Sequence, residues 1–178
     1  VPLGKSYEVW ALSVTNESDR ARELTLTGYA EFTNHSNYEQ GQVNLQYSLF
    51  ITRTLFEKNR IIQQIHGNLD TLKVDEEVDD KRVIERFFGL AGAEVSSYCG
   101  DKEAFLGKYH GYGNPQGVIS ADLGNVTSYN ENSCGALSCT VALAPGESRT
   151  VLFLLGMKPS TEAEAIISSY TDPAGQVR

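Results

Sequence analysis

The fold is decided by a stretch near the start of the chain in which apolar and polar residues alternate, EVWALSVT at residues 8–15. The alternation places Trp10, Leu12 and Val14 on one face of an extended strand, and we expect that face to be buried. The same period of two returns over residues 23–32. Its inward positions are Leu24, Leu26, Gly28, Ala30 and Phe32. Because the polar residues 16–19 between the two segments are turn formers, the two strands are predicted to form a hairpin.

Further alternating segments occupy residues 43–52, 60–66, 82–90, 117–123, 135–143 and 148–155. The tetrapeptide Ala144-Pro145-Gly146-Glu147 predicts a tight turn between the last two. Many short strands separated by turn residues, without long helical runs between them, favour an all-β fold, a large antiparallel β-sandwich. One helix is predicted near the end of the chain, with Thr161 as its N-cap. Its apolar stripe consists of Ala163, Ile166, Ile167 and Tyr170.

Composition excludes several classes of function. The chain has 178 residues and a formal net charge of −8. An acidic chain without a run of Lys or Arg is unsuited to nucleic acid or to an anionic membrane surface. No apolar run approaches the length of a membrane span. The start of the chain, VPLGK, lacks an initiator Met and a signal sequence, which predicts a segment cut from a longer protein.

No motif in the sequence indicates catalysis or a bound metal. His35, His66 and His110 are scattered, which disfavours zinc, and there is no nucleophile elbow, P-loop or dinucleotide fingerprint. The acidic stretch at residues 75–80 is most simply a solvated loop, with a metal site as the alternative. Of the three cysteines, Cys134 and Cys139 could form a clip, but free thiols in a reducing compartment are favoured.

Two segments carry more polar and aromatic side chains than a scaffold needs. The first covers residues 34–47, where His35, Asn44, Gln46 and Tyr47 combine the amide and ring groups that a sugar site uses. The alternative is a plain loop followed by the solvent face of an edge strand. The second covers residues 101–115, where three glycines and a proline among aromatic residues predict a structured loop. This loop either binds a ligand or closes one end of the sandwich.

At the second segment the sequence starts to resemble a known family. The motifs are FLG at residues 105–107 with Tyr109, NP at 114–115, NSCGAL at 132–137, LAPGE at 143–147 and FLLG at 153–156. They resemble the inverting β-glycoside phosphorylases of glycoside hydrolase family 94, formerly glycosyltransferase family 36, of the cellobiose phosphorylase type. The opening of the chain is similar to the same family's N-terminal region, so the resemblance runs over nearly all of the chain in one order.

The resemblance implies a fold and a division of labour. Residues 1–158 would be the family's N-terminal supersandwich, of galactose-mutarotase-like type, and residues 159–178 the start of a helical linker. The linker would lead to an (α/α)6 barrel beyond Arg178. The parent enzyme would be a cytoplasmic homodimer that needs no cofactor, with inorganic phosphate as co-substrate and a β-linked disaccharide as substrate. Because the catalytic Asp of the family lies on the barrel, this chain would hold no catalytic residue and would not act alone.

The resemblance also covers residues 34–47, where relatives carry a Gln-Arg pair on a strand that reaches the sugar. Gln46 matches, but Tyr47 stands where the family has Arg, which removes a bidentate cationic donor. The disaccharide is therefore left open, and Gln46 is the foremost candidate contact, ahead of Asn44, Tyr47 and His35. Two alternatives are kept: an independent carbohydrate-binding module, and the phosphorylase-like region of a cyclic β-glucan synthase.

Overall fold

The computed structural model of the chain describes residues 1–32, 52–65 and 84–176. Eight strands lie in these ranges: β1 (Tyr7–Thr15), β2 (Arg22–Glu31), β3 (Thr52–Glu57), β4 (Arg60–Ile65), β5 (Ile84–Ala91), β6 (Ser97–Asp101), β7 (Ser133–Leu143) and β8 (Ser148–Gly156). The same ranges hold four helices: α1 (Lys102–Leu106), α2 (Gln116–Ile119), α3 (Ser160–Ser168) and α4 (Pro173–Gln176).

The strands form two antiparallel sheets, which confirms the predicted all-β sandwich. The larger sheet has the order β1-β8-β5-β4-β3, and the smaller has the order β2-β7-β6. Helix α3 packs on the outer face of the larger sheet, where Ala163 and Ile167 are buried with Phe87, Leu152 and Leu154. Helix α1 covers the outer face of the smaller sheet, where Phe105 is buried with Cys99, Cys134 and Ala136.

The predicted hairpin of the first two strands is wrong, because β1 and β2 lie in different sheets. Strand β1 pairs with β8, from Tyr7 opposite Gly156 to Thr15 opposite Ser148, and β2 pairs with β7. The connection 16–21 therefore crosses from one sheet to the other. The tight turn predicted at 144–147 is confirmed, and it makes a second crossing beside the first. Buried Asn16 joins the two crossings. Its backbone N–H donates to the Glu147 carbonyl, and its backbone carbonyl accepts from the Gly146 N–H. Its side-chain amide donates to the Leu143 carbonyl at 3.0 Å.

The strand predicted at residues 117–123 is also wrong. The segment holds α2 and a turn, and the amides of Val118 and Ile119 both bond the Pro115 carbonyl at 3.1 Å. Pro115 stands at the N-cap of α2 with an extended backbone, so its fixed φ favours a helical start over a strand. Val118 and Ile119, which belong to the apolar pattern that predicted a strand, are exposed in the structure.

The C-terminal helix is confirmed, but its predicted cap is wrong. Helix α3 begins at Ser160 with Pro159 as its N-cap and no side-chain capping bond, so Thr161 lies inside the helix. The amide of Ser160 is bonded instead by the Glu85 carboxylate at 2.6 Å. Within α3, Glu164 forms ion pairs with Lys58 and Arg60. A carboxylate of the larger sheet, that of Glu85, thus caps α3 in place of Thr161.

The centre of the sandwich is a pair of stacked phenylalanines. The rings of Phe88 and Phe153 lie 5.7 Å apart at an interplanar angle of 6°. Both project from the larger sheet toward glycines of the smaller sheet, Gly28 and Gly135. Leu12 and Val14 pack against this core as predicted. The ring of Trp10 contacts that of Phe88, with centroids 5.6 Å apart, and Trp10 is 37% exposed. Trp10 is less buried than expected because β1 lies at the edge of the sheet that the described strands form.

All three cysteines are free and buried, which confirms the predicted thiols. Strand β7 carries Cys134 and Cys139 on opposite faces, with Cys134 under α1 and Cys139 in the core between the sheets. Of the strand predicted at 43–52, only Thr52 is described, as the first residue of β3, and the acidic stretch at 75–80 lies outside the described residues.

We expect Gly28→Ala to destabilise the fold. A Cβ at this position would collide with the Phe153 ring, and overpacking of a core costs about 1–3 kcal/mol. Equilibrium urea unfolding measures the loss. Gly113→Ala is the matched control, since no atom lies within 4 Å of a Cβ there. Equal stability of the two variants would show that the sheets do not approach each other at Gly28.

Candidate functional site

The two ends of the sandwich differ in the length of their connections. One end carries the short connections 16–21, 58–59, 92–96 and 144–147. The other end carries 32–51, 66–83 and 102–132. The pairing registers place the latter together, because Tyr7 lies opposite Gly156, Ile65 opposite Ile84, and Glu31 opposite Cys134. Binding residues concentrate on the connections at one end of a rigid sandwich, so this end is the candidate site. It is called the long-loop end below for the number of residues in its connections.

A cavity of about 330 Å³ opens at the long-loop end. It lies where β1 begins, where β2 and β8 end, and beside Arg86 near the start of β5. Four of its lining residues are charged: Lys5, Glu8, Glu31 and Arg86. The apolar part of the wall comes from Tyr7, Phe32, Leu155 and Met157. Its volume falls at the lower end of the range for small-molecule sites, about 300–1,000 Å³.

Arg86 is the cationic side chain of this cavity that sits deepest in the fold. Its Nη1 donates to Gln63 Oε1 at 3.2 Å, and Gln63 in turn donates to Ser133 Oγ at 2.8 Å. Gln63 is fully buried between the sheets, so this chain of bonds fixes the guanidinium from behind. Burial lowers the pKa of Arg86, but an arginine remains a cation at neutral pH.

Glu31, the last residue of β2, is held by three donors. Its carboxylate accepts from the hydroxyls of Tyr112 at 2.5 Å and Tyr29 at 3.0 Å, and from Lys102 Nζ at 3.1 Å. Burial alone would raise the pKa of Glu31, but the hydrogen bonds from Tyr112, Lys102 and Tyr29 outweigh it and lower the pKa below 4.5. The carboxylate is therefore ionised at neutral pH and acts as an acceptor only.

The bonds to Glu31 tie the loop 107–115 to the sandwich. Lys102 lies 5.4 Å from the centroid of the Tyr112 ring, and Tyr29 stacks on Phe105 with centroids 4.5 Å apart. Within the loop, His110 Nδ1 lies 3.0 Å from the Asn114 carbonyl oxygen. This agrees with the structured loop that the glycines, proline and aromatics predict. At its tip Tyr109 is fully exposed with φ of 64°, a backbone conformation that non-glycine residues rarely adopt.

The four predicted sugar contacts, His35, Asn44, Gln46 and Tyr47, lie outside the described residues. Their segment joins the end of β2 at Glu31 to the start of β3 at Thr52, and both of these residues are at the long-loop end. Sequence reasoning missed Glu31 and Arg86, which appear in the alternating pattern as ordinary polar positions of two strands. Nothing in the local sequence brings them together, because their proximity depends on how the two sheets face each other.

Comparison with known families settles which fold this is. The model for the supersandwich domain of glycosyl hydrolase 94 matches residues 1–173. The chain belongs to the glycosyl hydrolase 94 family. This confirms the resemblance drawn from the motifs, and the two-sheet architecture agrees with it.

Several characterised proteins are similar to this supersandwich. The N,N'-diacetylchitobiose phosphorylase of Vibrio furnissii is 28% identical over 172 residues, which is 97% of this chain and 20% of that protein. The solabiose phosphorylase of Paenibacillus borealis is 29% identical over 157 residues, 87% of this chain and 18% of that protein. A cyclic beta-(1,2)-glucan synthase, NdvB of Rhizobium meliloti, is 28% identical over 147 residues, 82% of this chain and 5% of that protein. The chain thus spans about a fifth of the length of the phosphorylases it matches.

Two further observations concern the described part of the chain. No helix there is long and apolar enough to cross a membrane. Nor does any group of three or more His, Cys, Asp or Glu side chains within it have the arrangement of a metal site.

The three hydrogen bonds to the Glu31 carboxylate predict how the stability of the fold depends on pH. A carboxyl whose pKa is lowered by folding adds stability that is complete above its unfolded pKa, about 4.3, and is lost as the pH falls through its folded pKa. In a carbon-13 NMR titration we expect the midpoint of the Glu31 carboxyl to lie below that of an ordinary glutamate, because its pKa is lowered by the hydrogen bonds from Tyr112, Lys102 and Tyr29. Tyr112→Phe removes the first of its donors and should raise that midpoint.

Tyr109→Phe is the matched control for this titration, since Tyr109 lies on the same loop but its side chain is fully exposed. It should leave the midpoint of Glu31 unchanged. If Tyr112→Phe also leaves the midpoint unchanged, the hydroxyl of Tyr112 does not hold the carboxylate in solution.

Proposed function

We propose that this chain is the N-terminal supersandwich of an inverting β-glycoside phosphorylase. The reaction joins inorganic phosphate to the anomeric carbon of a β-linked disaccharide and releases a sugar 1-phosphate and a sugar. Membership of the glycosyl hydrolase 94 family and similarity to proteins named as disaccharide phosphorylases support this assignment. Both named phosphorylases act on disaccharides, so the substrate proposed here is a β-linked disaccharide of this general type.

The observation that carries the proposal is the concentration of long connections at one end. The segment with His35, Asn44, Gln46 and Tyr47 joins β2 to β3, whose ends at Glu31 and Thr52 both lie at that end of the sandwich. A single displacement needs one general acid, and phosphate brings its own negative charge as the nucleophile. We assign the acid to the (α/α)6 barrel beyond this chain. The sandwich then supplies side chains that bind and orient the sugar.

The supporting roles of the sandwich follow from the same proposal. Helix α3 begins the linker at about residue 159 and lies against the larger sheet, so it holds the linker in a fixed direction. We also propose that the parent protein is a homodimer in the cytoplasm and needs no cofactor besides phosphate as co-substrate. Within this chain we assign no catalytic residue and no metal ligand.

A second candidate function is the phosphorylase-like region of a cyclic β-glucan synthase, favoured by the match to NdvB over 82% of the chain. The third, an independent carbohydrate-binding module, predicts a row of exposed aromatics on one flat face. Of the exposed aromatic side chains of the described residues, Trp10 lies on β1, Tyr109 and Tyr112 lie on the loop 107–115, and Tyr129 lies on the connection before β7, so they form no row along one sheet. That distribution disfavours a binding module.

We expect Gln46→Ala in the full-length protein to reduce the rate of phosphorolysis about fivefold to thirtyfold at subsaturating disaccharide. The amide would otherwise donate and accept hydrogen bonds with sugar hydroxyls, and a lost bond to a bound ligand costs about 1–2 kcal/mol. The measurement is the release of sugar 1-phosphate from cellobiose, laminaribiose and N,N'-diacetylchitobiose in the presence of phosphate.

Gln42→Ala, in the same connection, is the control and should retain the wild-type rate and melting temperature. A normal rate for Gln46→Ala would remove that residue from the sugar site. Production of cyclic glucan, in place of sugar 1-phosphate, by the wild-type protein would favour the second candidate function.

A further inference from the structure

We propose that Cys99 and Cys134 form a redox-sensitive pair, which hydrogen peroxide or another small peroxide oxidises to a disulfide beneath helix α1. The two residues lie on neighbouring strands, β6 and β7, and their side chains project from the outer face of the smaller sheet. The pair involves only this sheet and α1, so the inference does not rest on the proposed function.

The two thiols are in contact with each other. Cys134 Sγ donates to the Cys99 carbonyl oxygen at 3.5 Å, and the two thiol groups also interact by a hydrogen bond. Neither residue has any exposed surface, and Phe105 and Leu123 cover them. Because each sulfur has the other as its neighbour inside the fold, oxidation is expected to join the two rather than to attach a foreign thiol.

The pairing of β6 with β7 brings the two backbones close to the separation that a disulfide needs. Cys99 lies opposite Ala136, and Cys134 is two residues further along β7, so the cysteines are diagonal neighbours. Such neighbours have Cα atoms about 7–8 Å apart in a regular pair, and disulfides join Cα atoms about 4.4–6.8 Å apart. The register shifts between Cys99 and Asp101, so the ladder is already irregular at this point. A small backbone movement at this irregularity closes the remaining distance.

The surroundings give the two thiols different roles. The hydrogen bond with Cys134 lowers the pKa of Cys99, whereas the same bond and burial raise the pKa of Cys134. Cys99 is therefore the thiol that ionises more readily, and a thiolate is the form that attacks an oxidant. Cys134 stays protonated beside it and is placed to react with the oxidised sulfur.

The reaction consumes one peroxide for each pair. The Cys99 sulfur attacks one oxygen of hydrogen peroxide, the O–O bond breaks, and the other oxygen leaves as water with the thiol proton. Cys134 Sγ then attacks the sulfur of the Cys99 sulfenic acid, so that the S–S bond forms and the S–O bond breaks to release a second water. The two thiols together lose two electrons, and the peroxide is reduced to two waters.

Oxidation acts on the start of helix α1. In the reduced protein the Cys99 thiol donates to the Asp101 carbonyl at 3.1 Å. Asp101 is the N-cap of α1, and its carboxylate accepts from the Ala104 amide at 2.8 Å. A disulfide sulfur carries no proton, so the Asp101 carbonyl loses this donor and α1 is expected to open more often. The loop 107–115 follows α1 directly and would share in the change.

The oxidant reaches the buried pair when α1 opens. The helix has five residues, and exposed hydrogen bonds hold it, from Lys102 to Glu31 at 3.1 Å and from Asn132 to Glu103 at 2.8 Å. Short elements held by exposed bonds open at a lower free energy than the whole fold does. The cover over the two thiols is therefore removed without global unfolding.

The test is a peptide map of the full-length protein after exposure to hydrogen peroxide. Free thiols are alkylated in denaturant, and trypsin digestion follows without a reductant. Cys99 falls in the tryptic peptide 87–102, and Cys134 falls in 109–149 together with Cys139. We expect the two peptides to be joined, with a mass two hydrogens below their sum, and dithiothreitol to separate them.

Exposed Met157 provides an internal measure of the dose of peroxide. If Cys99 and Cys134 are both recovered in alkylated form when Met157 has been converted to the sulfoxide, the proposal is wrong. A link from either cysteine to Cys139 in its place would also overturn it.

Cys139→Ala is the matched control, since Cys139 is equally buried but lies on the opposite face of β7. The joined species should persist in this variant and be absent from Cys134→Ala. Without its partner, the Cys99 sulfenic acid should be labelled by dimedone. Stronger labelling of Cys134 in Cys99→Ala than of Cys99 in Cys134→Ala would contradict the roles assigned to the two thiols. Melting temperatures show whether each variant is folded.

Two measurements test the connection to α1. Asp101→Ala removes the N-cap and should raise the rate of disulfide formation about fivefold, the factor expected for a lost cap. Hydrogen exchange of the backbone amides 103–107 should be faster in the oxidised wild-type protein than in the reduced protein. A wild-type rate of disulfide formation in Asp101→Ala would overturn α1 as the cover, and equal exchange in the two states would overturn its response to oxidation.

Discussion

The contact on which the rest of the structure depends is the stack of Phe88 and Phe153 against the glycines of the facing sheet. The two rings lie parallel, 5.7 Å apart, and project from neighbouring strands of the larger sheet. A side chain at Gly28 or Gly135 would collide with them, so the smaller sheet can approach only because those positions have no Cβ. The stack therefore sets the distance between the two sheets, from which Glu31 and Arg86 both come to line the cavity at the long-loop end.

A second constraint on the fold comes from two crossings between the sheets, at the end of the sandwich that carries the short connections. The connections 16–21 and 144–147 both pass from sheet to sheet, and Asn16 binds them to each other through its buried amide and its backbone. With the short connections at this end, the described order of strands places the long connections at the opposite end. The site is thus a consequence of the arrangement of strands. No local motif is needed to explain why the candidate residues collect at one end.

The sequence predicts the part of this structure that depends on local pattern. Alternation identified β1, β2, β7 and β8, and the apolar stripe identified α3, because both reflect one element lying on a core. Sheet membership could not be predicted, since the turn formers between β1 and β2 serve a crossing as well as a hairpin. Residues 117–123 were predicted as a strand from an alternation that is too short to distinguish a strand from a helix, and the segment begins with a helix whose N-cap is Pro115. Arg86 and Glu31 were missed for the same reason as the hairpin: their meeting is a property of two facing sheets.

Glu31 links the stability of the fold to the proposed chemistry. A carboxylate has about four acceptor positions, and Tyr29, Tyr112 and Lys102 occupy three of them from the loop side. Of these donors Tyr112 belongs to the loop 107–115, so Glu31 serves chiefly to hold that loop against the end of β2. Among the described residues Arg86 makes one side-chain hydrogen bond, to Gln63, and a guanidinium has five N–H donors. Arg86 therefore keeps donors for a bound molecule, whereas most acceptor positions of Glu31 are used within the fold.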